Sequence, residues 1–175
     1  MYQTIVVATD GSTQADEAVR VAARLAAADG ARLVVVHVME EGALPDDLRH
    51  MAEVEHLKER QPGIEYRMAG VPGWMSDVIR QTESAGTDHL ILEKVGRMAL
   101  ERAMSIARDT GATEVADAME AGQPARQILA VAQREKADLV VLGSRGLSDF
   151  AGLVFGSVSH RVAHLCPCTC LTVTS

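Results

Sequence analysis

A chain of 175 residues with 47% hydrophobic side chains carries enough apolar material for one full domain with its own core. Only 3% of the residues are aromatic, so that core is built from Val, Leu, Ile, Ala and Met, a composition suited to helices packed on an all-apolar sheet. The formal net charge of −7 excludes the basic footprint of a nucleic-acid binder. Anionic small molecules stay open, because backbone N–H groups hold them without side-chain charge. No apolar run approaches the length of a membrane span, and the opening MYQTIVVATDG lacks the charged-then-apolar layout of a signal peptide. The expectation is a cytoplasmic protein with no membrane insertion and no nucleic-acid partner.

In chain order, Gln3 to Ala8 is a short β-branched run ending in Thr9-Asp10-Gly11-Ser12. Thr13 to Asp29 is alanine-rich with Leu and Val at helical spacing, stopped by Gly30. Arg32 to Met39 (RLVVVHVM) reads as a second buried strand. Strand, helix and strand within this length make a βαβ unit, hence parallel strands with a right-handed crossover. Residues 41–92 break the pattern, with an acidic helix expected over Leu48–Arg60, irregular loop over Gln61–Gly73 and a short helix over Ser76–Ser84. This stretch has too few apolar residues for a second core and reads as an elaboration of one domain spanning 1–175. Beyond it the periodicity predicts a helix over Met98–Thr110, a strand over Thr113–Met119, a proline-opened helix over Pro124–Lys136 and a strand over Asp138–Leu142. A helix over Ser157–Leu165 and a strand over Cys168–Thr174 complete the chain. Five strands alternating with helices give an α/β class with a parallel sheet covered on both faces.

The chemistry concentrates where two strands end. The first runs into Asp10-Gly11-Ser12 and the fourth into Gly143-Ser144-Arg145-Gly146. In open parallel sheets ligands bind beyond the carboxyl ends of the strands where the strand order reverses. Gly143 and Gly146 permit positive φ and close ligand approach, and such turns expose successive N–H groups as an anion nest. Gly156-Ser157-Val158-Ser159 then opens a helix with free N–H groups and the positive end of its dipole. Each glycine taken singly is an ordinary turn or cap residue. Together with Ser157, Ser159 and the first loop they favour a polyphosphate site, with Asp10 suited to a ribose hydroxyl or to Mg²⁺ on the phosphates. No Walker A lysine and no G-x-G-x-x-G run is present.

The pattern G-x2-G-x9-G-[S/T], met by Gly143, Gly146, Gly156 and Ser157, resembles the nucleotide-binding signature of the universal stress protein family, in its ATP-binding subgroup. IVVATDGS, Gly122-Gln123-Pro124-Ala125 with Ile128, ADLVVLG at 137–143 and the closing HLCPCTCLTV resemble other segments of that family. The likeness covers about residues 1–40 and 93–175. It implies a Rossmann-like three-layer sandwich of the adenine nucleotide alpha hydrolase type, a five-stranded parallel sheet in order 3-2-1-4-5, and a homodimer joined through the last strand. It also implies ATP or AMP in the crevice, and a stress or energy-state regulator acting through an unknown protein partner. Carried over by position, Asp10 lies beside the ribose and metal, with Ala8 standing where many members have proline. Val38 lies by the adenine, Leu142 and Gly143 flank the ribose and phosphates, and Gly146, Gly156, Ser157, Val158 and Ser159 surround the phosphates. Arg145 and His160 are close enough to the glycine loop to touch a phosphate.

Other candidates carry less. Cys166, Cys168 and Cys170 share one face of a strand, a possible soft-metal or redox site, though free cysteine also packs as a small hydrophobe. His160 and His164 are spaced i, i+4 without an intervening H-E-x-x-H motif, and His50 and His56 belong to a solvated helix face. No G-x-S-x-G elbow or other usual catalytic arrangement is present. Two further readings follow: a slow Mg²⁺-dependent ATPase or nucleotidyl-transfer relative using the same pocket, and a nucleotide-free interaction module whose 41–92 segment fills the crevice.

Overall fold

The computed structural model describes residues 1–39, 88–145 and 156–174, with the side chains of 88–91 left aside. The helices and loop expected within 41–87, and Gly146, lie outside the described residues. The elements run β1 (Thr4–Ala8), α1 (Thr13–Asp29), β2 (Arg32–Met39), α2 (Asp88–Asp109), β3 (Val115–Ala121), α3 (Pro124–Arg134), β4 (Leu139–Gly143), α4 (Ser157–Leu165) and β5 (Thr169–Val173).

The strands form one five-stranded parallel sheet in the order β3-β2-β1-β4-β5. The chain therefore builds outward from β1 in one direction, returns, and builds outward in the other. The reversal falls between β1 and β4, where Ile5 stands beside Leu139 and Val7 beside Val141. Asp138 ties the start of this pair, its carboxylate accepting from the N–H groups of Gln3 at 2.8 Å and Thr4 at 3.2 Å.

Alternation of side chains along each strand sorts the core into two layers. Ile5, Val7, Leu33, Val35, Leu139 and Val141 face α1 and α2. Val6, Val34, Val36, Val140 and Leu142 face α3 and α4. On the first side α1 presents Ala18, Val19, Ala22, Ala23 and Ala26, so its backbone packs close to the sheet. Leu33 is fully buried, and its truncation to Ala would cost about 2–5 kcal/mol.

Three elements differ from the sequence expectation by two residues or more. α2 begins at Asp88 rather than Met98, because buried Val95, Ala99, Ala103 and Ala107 recur every four residues and carry the helix through Gly96. A Cβ on Gly96 would stand 2.7 Å from the His37 ring, so this glycine provides room for a side chain from β2. β3 spans Val115–Ala121 rather than Thr113–Met119, since the turn closing α2 includes Ala112, whose N–H returns to Ala107. α3 stops at Arg134, and Lys136, at φ 54°, turns the chain toward β4.

Candidate functional site

At the carboxyl end of β1 the chain extends its pairing by one residue, the Thr9 N–H donating to the Val36 carbonyl at 2.9 Å. Gly11 then takes φ 82°, a left-handed conformation that suits glycine, and the chain turns into α1. The turn is closed by its own side chains. Thr9 Oγ1 accepts from Gly11 N–H at 3.2 Å, Asp10 Oδ1 from Ser12 N–H at 3.0 Å, and Ser12 Oγ from Ala15 N–H at 3.1 Å. Ser12 is thus the side-chain cap of α1.

Asp16, in the first turn of α1, is buried and accepts from Arg102 of α2 at 2.8 Å. Its other oxygen, Oδ1, has no hydrogen-bond partner among the described residues. The N-terminus of α1 therefore already faces a carboxylate of its own chain, which complements the positive end of the helix dipole.

The other side of the crevice is arranged differently. Gly143 ends β4 with ordinary φ, and the glycine requirement comes from space. A Cβ there would lie 3.1 Å from the Arg145 carbonyl and 3.3 Å from the Gln14 backbone of α1. The positive φ that glycine permits is not used at Gly143, whose narrow space separates two parts of the chain. Ser144 N–H donates to the Val173 carbonyl at 2.8 Å, linking the loop to β5. The Ser144 carbonyl in turn accepts from Gly156 N–H at 2.7 Å and from Ser159 Oγ at 2.9 Å. These bonds bring Gly143–Arg145 and Gly156–Ser159 together. Ser159 Oγ also lies 3.0 Å from the Gly156 carbonyl, so its proton is directed at backbone oxygens. It closes the loop from inside.

Gly156 caps α4 with no side-chain hydrogen bond, and the first turn of α4 contains no acidic residue. Ser157 is exposed, Val158 partly buried, and Arg145 and His160 exposed. Ala8, Val38 and Val158 pack against the same apolar cluster that includes Leu142. Asp10 is partly buried at the edge of the first loop. The site residues expected from sequence, Gly146 aside, thus fall at the carboxyl ends of β1, β2 and β4 and at the start of α4. Among the described residues no group of three or more His, Cys, Asp or Glu side chains is arranged to hold a metal.

Three contributors were missed in the sequence. His37, near the end of β2, donates from Nδ1 to the Thr9 carbonyl at 2.9 Å and fills the notch left by Gly96. Burial pushes its pKa below the usual value, opposed by its bond to Thr9 and by the nearby Asp10 charge. Its one sequence signal is a polar residue inside an apolar strand. Asp16 and Ser144 look like solvated positions in sequence, and only the fold shows both to be buried.

The cysteines lie outside the crevice on the side of the second apolar cluster. Cys166 Sγ and Cys168 Sγ stand 3.5 Å apart. Burial pushes the Cys168 thiol up to about 12 and the Cys170 thiol up to about 11, with the neighbouring cysteines adding to both. His160 and His164 are exposed.

Known proteins are similar to this chain over nearly its whole length. The family model for the universal stress protein family matches residues 1–174. A universal stress protein of Thermus aquaticus is 35% identical over 173 residues, covering 99% of each chain. The universal stress protein YxiE of Bacillus subtilis is 32% identical over 173 residues, again covering 99% of each. Among solved structures, a universal stress protein in complex with cAMP superposes with a TM-score of 0.59 at 28% identity, covering 98% of this chain and 97% of that one. No helix among the described residues is long and apolar enough to cross a membrane. With the sheet order, the paired glycine loops and these matches in agreement, the chain belongs to the universal stress protein family.

Proposed function

We propose that the protein binds an adenine nucleotide, ATP or AMP, in the crevice between β1 and β4. The observation that carries this reading is the contrast at the two helix starts: α1 is capped by Ser12 and faces Asp16, whereas α4 has no side-chain cap and no acidic residue in its first turn. An anion gains more in hydrogen bonds and dipole stabilisation at the second. The phosphates lie against Gly143, Gly146, Gly156, Ser157 and Val158, with Ser159 holding the loop closed and Arg145 beside it. The ribose lies at Asp10 and Leu142, and the adenine against Val38 and Ala8. The similar protein that carries cAMP supports an adenine nucleotide as the class of ligand. Any Mg²⁺ arrives on the phosphates, with Asp10 at the end of the first loop as the carboxylate proposed for it. The nucleotide then reports energy or stress state through a protein partner, from a cytoplasmic homodimer joined along β5, with 1–175 as one domain bearing a segment at about 41–92.

The test is to purify the protein without added ligand, denature it in acid and separate the supernatant by ion exchange. Near-stoichiometric ATP or AMP is the expected result. An empty protein that also fails to bind added Mg-ATP and AMP overturns the reading. Phosphate release from bound ATP, followed over hours, distinguishes a switch from a slow ATPase.

A further inference from the structure

Three thiols at the end of the chain take no part in the crevice. Cys166 closes α4, Cys168 follows Pro167, and Cys170 lies in β5 opposite Val140. All three are free and only partly buried, whereas cysteine retained purely as a small hydrophobe is among the most buried residue types. The extended backbone of Cys166, at φ −66° and ψ 127°, and the following proline return Cys168 toward it, leaving the two sulfurs 3.5 Å apart.

The number of ligands selects the ion. Among the described residues no set of three or more metal-ligating side chains is arranged for a metal, so the described residues group two thiols here and not the four ligands of a closed zinc site. Thiolate ligands are soft and favour copper(I), a closed-shell ion that two sulfurs alone can hold. An ion held by two sulfurs alone draws them toward a straight line, so two metal–sulfur bonds of about 2.3 Å place the sulfurs about 4.6 Å apart. The pair at 3.5 Å opens by about 1 Å to reach that spacing, through side-chain rotations at a partly exposed position.

We propose that Cys166 and Cys168 form a two-thiolate site for a soft monovalent cation of the copper(I) class. On binding, both S–H bonds break, two copper–sulfur bonds form and two protons leave to solvent. The copper stays monovalent and no electron moves. The site is separate from the crevice and does not depend on nucleotide.

The test uses the full chain, reduced and kept under nitrogen, titrated into the coloured copper(I) complex of bicinchoninate. The wild type is expected to remove about one copper per chain and bleach the colour in proportion, and Cys170→Ser to do the same. Cys168→Ser and Cys166→Ser are expected to leave the colour unchanged. Should Cys166→Ser fail to fold, Cys168→Ser decides alone, since Cys168 lies outside any helix. The proposal is overturned if the wild type removes no copper, if Cys168→Ser removes as much as the wild type, or if Cys170→Ser loses as much as Cys168→Ser.

Discussion

The starts of α1 and α4 face the same reversal in the sheet, yet they are finished in opposite ways. α1 begins on Ser12, whose hydroxyl takes the Ala15 N–H, and carries Asp16 in its first turn. α4 begins on Gly156 with neither a side-chain cap nor an acidic residue in its first turn. One helix has its positive end answered within the chain, and the other leaves it open where the proposed anion would sit. A capped helix contributes stability. An uncapped one forgoes about 1 kcal/mol and leaves N–H groups open to the proposed phosphate.

The comparison breaks most readily at the contact between the two sides. Gly143→Val drives Cβ into the Gln14 backbone and the Arg145 carbonyl. It is expected to cost about 1–3 kcal/mol in urea unfolding. AMP affinity, followed by calorimetry, should fall by more than about 10-fold, equivalent to about 1.4 kcal/mol. Arg102→Ala strands the buried Asp16 carboxylate. Because Arg102 is 44% exposed, the loss should be about 2 kcal/mol, less than for a fully buried pair. Its AMP affinity is expected to stay within about twofold, since the pair belongs to the closed helix.

Ser12→Ala and Ser159→Ala form a matched pair. Each removes one hydroxyl bond and should cost about 1 kcal/mol. Only Ser159→Ala should also weaken AMP binding, because its bond to Ser144 closes the anion loop. Equal affinity in both variants would erase the distinction between the two sides. Ser157→Asp sharpens it further by supplying α4 with the carboxylate it lacks. Thermal stability should rise by about 0.5 kcal/mol while AMP binding falls, opposite signs from one substitution.

The smallest effect is a pH dependence at the first loop. Burial holds His37 below its usual pKa, so the unfolded chain binds the proton more readily. Its contribution is therefore complete above about pH 6.5 and is lost as the pH falls below that value. His37→Asn is expected to flatten the fall in melting temperature between pH 7.5 and 5.5. An unchanged slope would show that His37 takes no proton in that range.

Much of this was legible in the sequence. Apolar runs and helical spacing placed α1, β2 and α4 at their observed ends, because each is bounded by a strong local signal such as Gly30 or Gly156. The first turns of α2 were not read from the sequence, and the room that Gly96 leaves for His37 is visible only in the fold. The glycine spacing pointed to the end of β4 and the start of α4, but not to the Gln14 backbone and Arg145 carbonyl that leave no room for a side chain at Gly143. Spacing reports where a side chain is forbidden, and only the fold shows what forbids it. Asp16, Ser144 and His37 depend on partners from distant elements, which no local pattern carries.

The central claim is that phosphate is held at α4 and not at α1. The most direct measurement compares AMP with adenosine by two-dimensional NMR of the ¹⁵N-labelled protein, reading backbone amides at the two helix starts. The account predicts that the amides of Ser157 and Val158 differ between the two ligands while those of Thr13 and Gln14 do not. Differences at Thr13 and Gln14, with Ser157 and Val158 unmoved, would contradict it.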